Sequence, residues 1–100
     1  MSSAPAGLPS PFYRLRLLVA GSTNRSRRAI ANLRQLCAEH VGDKCEIEVI
    51  DIYQQPEFAA RYQVIAAPTL VKLLPLPVRR IVGDLSREAD VLRGLDIEVH

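Results

Sequence analysis

Two short segments of this chain share one pattern: each begins as an alternation of apolar and polar residues and ends apolar throughout. In YRLRLLVAG, Tyr13, Leu15, Leu17 and Val19 fall on one face and Arg14 and Arg16 on the other, before Leu18 and Ala20 fill in the alternation. CEIEVIDI repeats it, with Cys45, Ile47 and Val49 against Glu46 and Glu48, then Ile50 and Ile52. A strand that becomes apolar on both faces belongs in a sheet covered by helices. Between the two, from about Ser26 to His40, Ile30, Leu33, Leu36 and Cys37 recur at helical spacing with Arg and Gln among them. Gly21-Ser22-Thr23-Asn24 offers N-cap candidates for that helix, and Gly42-Asp43 closes it. The pattern predicts a βαβ unit with parallel strands and a right-handed crossover.

The second half carries weaker signals. Pro56 sits at the first turn of a short helix bearing Phe58, Ala59 and Tyr62. Thr69 to Leu74 reads as a strand and Ile81-Val82 as the centre of another, with Pro75-Leu76-Pro77 forcing a bend between them. Leu85, Ala89, Leu92 and Leu95 recur at helical spacing in a closing helix from Ser86, its expected N-cap, to about Ile97. Gly94 lies inside that stretch and weakens it by about 1 kcal/mol relative to Ala. The predicted order is βαβαββα, an α/β class with thioredoxin-like topology. MSSAPAGLPSP reads as a disordered leader over 1–11, leaving 12–100 as a single domain.

The chemistry suggested by these residues is sparse. Thirteen Lys and Arg against eleven Asp and Glu leave a net charge of +2, spread along the chain, which argues against nucleic-acid binding. No apolar run approaches the ~18 residues of a membrane span, and the first residues lack a signal-peptide pattern, so a cytoplasmic location is expected. Cys37 and Cys45, eight positions apart, form neither a CxxC pair nor a zinc half-site, and are expected as reduced core thiols. His40 and His100 have no carboxylate or thiol at ligand spacing, so neither a metal nor a cofactor is expected. A thioredoxin-type enzyme carries its reactive cysteine at the turn after the first strand, where the helix amino terminus stabilises a thiolate. Here that turn reads AGSTNRS, without cysteine and without the GK[ST] of a phosphate loop. Asp51, Asp84 and Asp96 have no partner nearby in sequence. No catalytic residue is assigned, and the chain is expected not to be an enzyme.

What remains is a long irregular motif. LRLLVAG, EVIDIYQQPEFA, IAAPTLVKLLPLPVRRIVGDLS and LRGLD together resemble the KaiB family of cyanobacterial clock proteins, and the resemblance runs without gaps from about Tyr13 to Val99. The resemblance implies either a thioredoxin-like fold or the related KaiB ground-state fold, with interconversion confined to the second half of the chain. It also implies a non-catalytic regulator that docks on the amino-terminal ring of a KaiC-like ATPase, acting in circadian timing or a clock-derived stress pathway. KaiA and a clock histidine kinase are the further partners it suggests, and the oligomer expected by precedent is a dimer or tetramer. Tyr13, Gly94 and Asp96 match family positions tied to fold switching, while Lys72, Arg79, Arg80 and Asp84 match the shared motif. Taken singly, Lys72 also reads as a guard on a sheet edge, Arg79-Arg80 as a solvated strand end, Tyr13 as a core aromatic, and Gly94 as a helix terminator. The chain departs from the family at Glu46 and Glu48, where lysine is usual, a reversal of charge on a docking surface. A single-fold scaffold with an unrelated partner is the alternative reading, and a vestigial thioredoxin-like enzyme a third.

Overall fold

The computed structural model describes residues 12–64 and 67–97. The predicted leader, the Ile65-Ala66 step of the motif and His100 lie outside the described residues. The elements are β1 (Tyr13–Val19), α1 (Asn24–His40), β2 (Cys45–Asp51), α2 (Pro56–Arg61), β3 (Thr69–Leu74), β4 (Arg79–Val82) and α3 (Glu88–Gly94). One four-stranded sheet runs β2-β1-β3-β4, with β1 parallel to β2 and the pairs β1/β3 and β3/β4 antiparallel. That is the thioredoxin-like member of the two folds expected.

Each strand's position explains its burial. β1, next to the centre of the sheet, buries Leu15, Leu17 and Leu18 completely, whereas edge strand β2 leaves Val49 exposed on the face it was expected to share with Cys45 and Ile47. One face of β1 and β3 carries Leu15, Leu17 and Leu70 into a core with Ala29, Leu33 and Leu36 of α1 and Val91 and Leu92 of α3. Helix α1 starts at Asn24, earlier than expected, because the side-chain oxygen of Thr23 accepts the Ser26 amide at 3.0 Å and so caps its first turn.

The closing helix is shorter than its apolar spacing predicts. Ser86 is not its N-cap: its amide donates to Asp84 Oδ1 at 3.2 Å, the helix begins after Arg87, and no side chain caps it. Its end is also earlier than Ile97. Asp96 N–H donates to Arg93 O at 3.1 Å and Ile97 N–H to Leu92 O at 2.9 Å, the paired bonds of a Schellman ending. Gly94 is therefore the last helical residue rather than an interior one. The left-handed position that usually takes glycine is held by Asp96, at φ 58°. The peptide bonds preceding Pro68, Pro75 and Pro77 are cis.

Candidate functional site

Lys72 sits on the core face of β3, two positions after Leu70 and opposite Leu15, and is 1% exposed. It is flanked by β1 and β4, so it guards no edge. A buried ammonium must be paired to be tolerated, and Asp96 supplies the charge, its Oδ2 lying 3.6 Å from Lys72 Nζ. The same oxygen accepts from Arg79 Nε at 3.0 Å, and Arg79 stands opposite Lys72 in the β3/β4 ladder. Two cations from the hairpin thus converge on one carboxylate just after α3. The Arg79 guanidinium, with Lys72 contributing less, holds the Asp96 carboxyl below its ordinary range.

Gly94 belongs to the same junction. A Cβ added there would lie 2.8 Å from Cδ1 and 3.1 Å from Cγ1 of Ile81. The glycine thus lets α3 press onto β4, a steric reason for its presence that helix propensity does not reveal.

The remaining motif residues lie elsewhere. Tyr13 is buried at the start of β1, opposite Cys45, as a member of the core. Arg80 points to the other sheet face, where it donates to the carbonyl of Tyr62. Asp84 leans on α1: its backbone oxygen accepts from Asn32 Nδ2 at 2.8 Å, and Arg28 lies 3.5 Å from Oδ2. The Ser86 hydroxyl and amide, then Arg28, keep its carboxyl below the ordinary range. Asp51, unpartnered in sequence, accepts the Gly21 and Tyr53 amides at 3.1 and 2.9 Å.

Two constellations escaped the sequence. The parallel register sets Arg14 opposite Glu46 and Arg16 opposite Glu48, giving ion pairs of 2.9 and 2.7 Å. Arg16 also donates to the Tyr62 hydroxyl at 2.6 Å and lies 5.3 Å from the Phe58 ring centroid. Glu46 and Glu48 therefore do not present a bare acidic surface, because each is neutralised within the sheet. The alternation of Arg on one strand and Glu on the other was the available signal. His40, in turn, does have carboxylate neighbours: Glu88 Oε1 lies 3.4 Å from its Nε2, and Glu39, His40 and Glu88 offer ligand atoms within 4.8 Å of one another. Both glutamates are exposed, and the arrangement is a contact at the protein surface. Among the described residues, no helix is long and apolar enough to cross a membrane.

Comparison with known proteins places this arrangement in context. Residues 16–97 match the KaiB domain. The circadian clock protein KaiB3 of Synechocystis sp. is 46% identical over 83 residues, 83% of this chain and 81% of that protein. The circadian clock oscillator protein KaiB of Synechococcus elongatus is 44% identical over 89 residues, 89% of this chain and 87% of its own. Among solved structures, the N-terminal domain of Synechococcus elongatus SasA aligns at TM-score 0.70 and 19% identity, covering 96% of this chain and 94% of that one. Oxidised mitochondrial thioredoxin 3 of Saccharomyces cerevisiae aligns at TM-score 0.67 and 16% identity, covering 84% and 76%.

Proposed function

From its membership of the KaiB family of circadian clock proteins, to which this chain belongs, we propose that it is a non-catalytic regulator that docks on a KaiC-like ATPase. The observation that carries this reading is the meeting of Lys72, Arg79 and Asp96 at the junction of the hairpin with α3. These residues come from separate parts of the family motif, yet they share one carboxylate, with Gly94 close by. A junction held by a buried lysine and a surface aspartate is a place where two packings of the second half can be balanced against each other. In the thioredoxin-like packing described above, the chain presents the partner surface. In the alternative packing it is a dimer or tetramer. Tyr13, Lys72, Arg79, Gly94 and Asp96 set that balance, and Arg80 and Asp84 support docking or the resting assembly. KaiA and a clock histidine kinase are the further partners this reading allows.

Native mass spectrometry of the chain with a KaiC-like ATPase from the same genome tests it, once with ADP and once with a non-hydrolysable ATP analogue. Stoichiometric decoration of the ATPase hexamer is the expected result. Absence of complex with both nucleotides overturns the docking. Asp96→Arg, which places a third cation beside Lys72 and Arg79, is expected to change the oligomer distribution, the circular dichroism and the extent of decoration together. If none of the three changes, the balance between packings is not set at this junction.

A further inference from the structure

The chain has two cysteines, and the fold brings them together. Cys37, in the last turns of α1, is 4% exposed; Cys45 opens β2 at the edge of the sheet and is half-buried. Their sulfurs are 3.2 Å apart and not bonded. A disulfide requires about 2.05 Å, so the pair stands roughly 1.2 Å from covalent distance. The turn between them is ordered by its backbone, with the Val41 and Gly42 amides donating to Cys37 O at 2.9 and 2.8 Å and Gly42 in the left-handed region at φ 61°. The two thiols differ in kind. The hydrogen bond with Cys45, then burial, pushes the Cys37 thiol up, whereas the same sulfur–sulfur contact favours the Cys45 thiolate, and Cys45 is the less buried of the two.

We propose that Cys37 and Cys45 are a redox-modification site that closes reversibly into an intramolecular disulfide, with Cys45 as the attacking thiol and a hydroperoxide as the oxidant. In the first step the Cys45 thiolate attacks one peroxide oxygen. An S–O bond forms, the O–O bond breaks, and the departing hydroxide takes a proton to leave as water when the oxidant is hydrogen peroxide. In the second step Cys37 sulfur attacks the Cys45 sulfenic sulfur; the S–S bond forms, the S–O bond breaks, and a second water leaves with the Cys37 proton. Two thiols are oxidised by two electrons, and one peroxide is reduced to two waters. A dithiol reductant returns both electrons by thiol–disulfide exchange. The bond staples the end of α1 to the start of β2. It lies away from the turn after β1, where thioredoxin-like enzymes hold their reactive cysteine, and it does not depend on docking.

The test begins with the reduced, full-length wild-type chain. It is exposed to hydrogen peroxide, sampled over time, blocked with iodoacetamide, and read by intact mass and peptide mapping. Both alkylatable thiols are expected to disappear together. The mass should fall by two hydrogen atoms within a single chain, the Cys37 and Cys45 peptides should be linked, and dithiothreitol should restore both thiols. In Cys37→Ser, dimedone is expected to trap a sulfenic acid on Cys45; in Cys45→Ser, Cys37 is expected to stay untrapped under the same exposure. Accumulation of Cys45 as sulfinic acid in the wild type, links formed only between chains, or dimedone on Cys37 in Cys45→Ser overturns the proposal. The wild-type measurement decides the cross-link even if a variant fails to fold.

Discussion

Residues 12–52 and residues 54–97 contribute two strands each to the same sheet, yet they turn the chain by different means. In the first group the left-handed backbone positions are Gly21 and Gly42, at φ 74° and 61°. In the second, among the described residues, Gly83 at φ 124° is joined by Gln63, Leu85 and Asp96, which take φ values of 53°, 65° and 58° without being glycine. A side chain in that region costs roughly 1–2 kcal/mol more than glycine does. Two of the three end helices: Gln63 closes α2 through its amide to Ala60 O and the Val64 amide to Ala59 O, as Asp96 closes α3. The first group thus carries its turns in its own residue types, whereas the second has conformations imposed by what surrounds them. Leu85 is held by burial in the core and Asp96 by two cations. A half whose local preferences disagree with its packing is the half in which a second packing is easiest to reach.

Four measurements break or sharpen this contrast. The largest effect is expected where local preference and packing agree. Leu33, fully buried on α1, should cost about 2–5 kcal/mol when cut to Ala, read by urea unfolding at unchanged m-value. A loss well under 1 kcal/mol would show that the βαβ unit is not the rigid partner. Next comes Gly94→Ala, whose new methyl meets the end of Ile81. The expected loss is about 1 kcal/mol, near the low end for overpacking because the neighbouring group is the tip of a side chain. Ile81→Val in that background should recover it, and a double-mutant cycle without coupling would remove the steric account.

A smaller effect, of opposite sign, is expected at Gln63, which is exposed and left-handed. Gln63→Gly should raise stability by about 0.5 kcal/mol, a gain that a relaxed backbone at this position would not give. The smallest effect is acidic. Because Arg79 and Lys72 hold the Asp96 carboxyl below its unfolded value, its contribution is complete above the unfolded value and fades as pH falls through the folded one, below about pH 4. Asp96→Asn should flatten that part of the stability profile and lower the plateau above it, because Lys72 and Arg79 lose their shared carboxylate at every higher pH. An identical acid limb in both proteins would show that the pair does not couple to folding.

The same contrast decides what could be read in advance. The βαβ unit was legible because its period, caps and turn residues all agree; its first helical residue moved, by the choice of Thr23 as cap, and edge strand β2 stops at Asp51 with Val49 exposed. Strand β3 was legible to its ends because a run that is apolar apart from Thr69 and Lys72 fits a strand flanked on both sides. The closing helix was not, since Ser86 has two uses for its polar groups and Asp84 takes them. Lys72, Arg79 and Asp96 were visible as motif residues, but the carboxylate joining them was not, because it depends on where α3 stops. That stop uses an aspartate in a role normally signalled by glycine. Glu46 and Glu48 could not be fully read for a related reason: charges on one strand mean little until the register of the next is known.

The Arg14–Glu46 and Arg16–Glu48 ladder also bears on the kinetics of encounter. Two cations and two anions paired at 2.9 and 2.7 Å cancel at any distance comparable with the Debye length of about 8–10 Å. A partner approaching this edge of the sheet is therefore neither drawn in nor turned away by long-range force. Association through it should proceed near the unsteered range of about 10⁵–10⁶ M⁻¹s⁻¹, with a rate that hardly responds to added salt. The stripe takes effect only at contact, where the partner must match a fixed alternation of sign or separate pairs that already satisfy each other. Discrimination at this edge then resides in how long a complex lasts rather than in how often it forms.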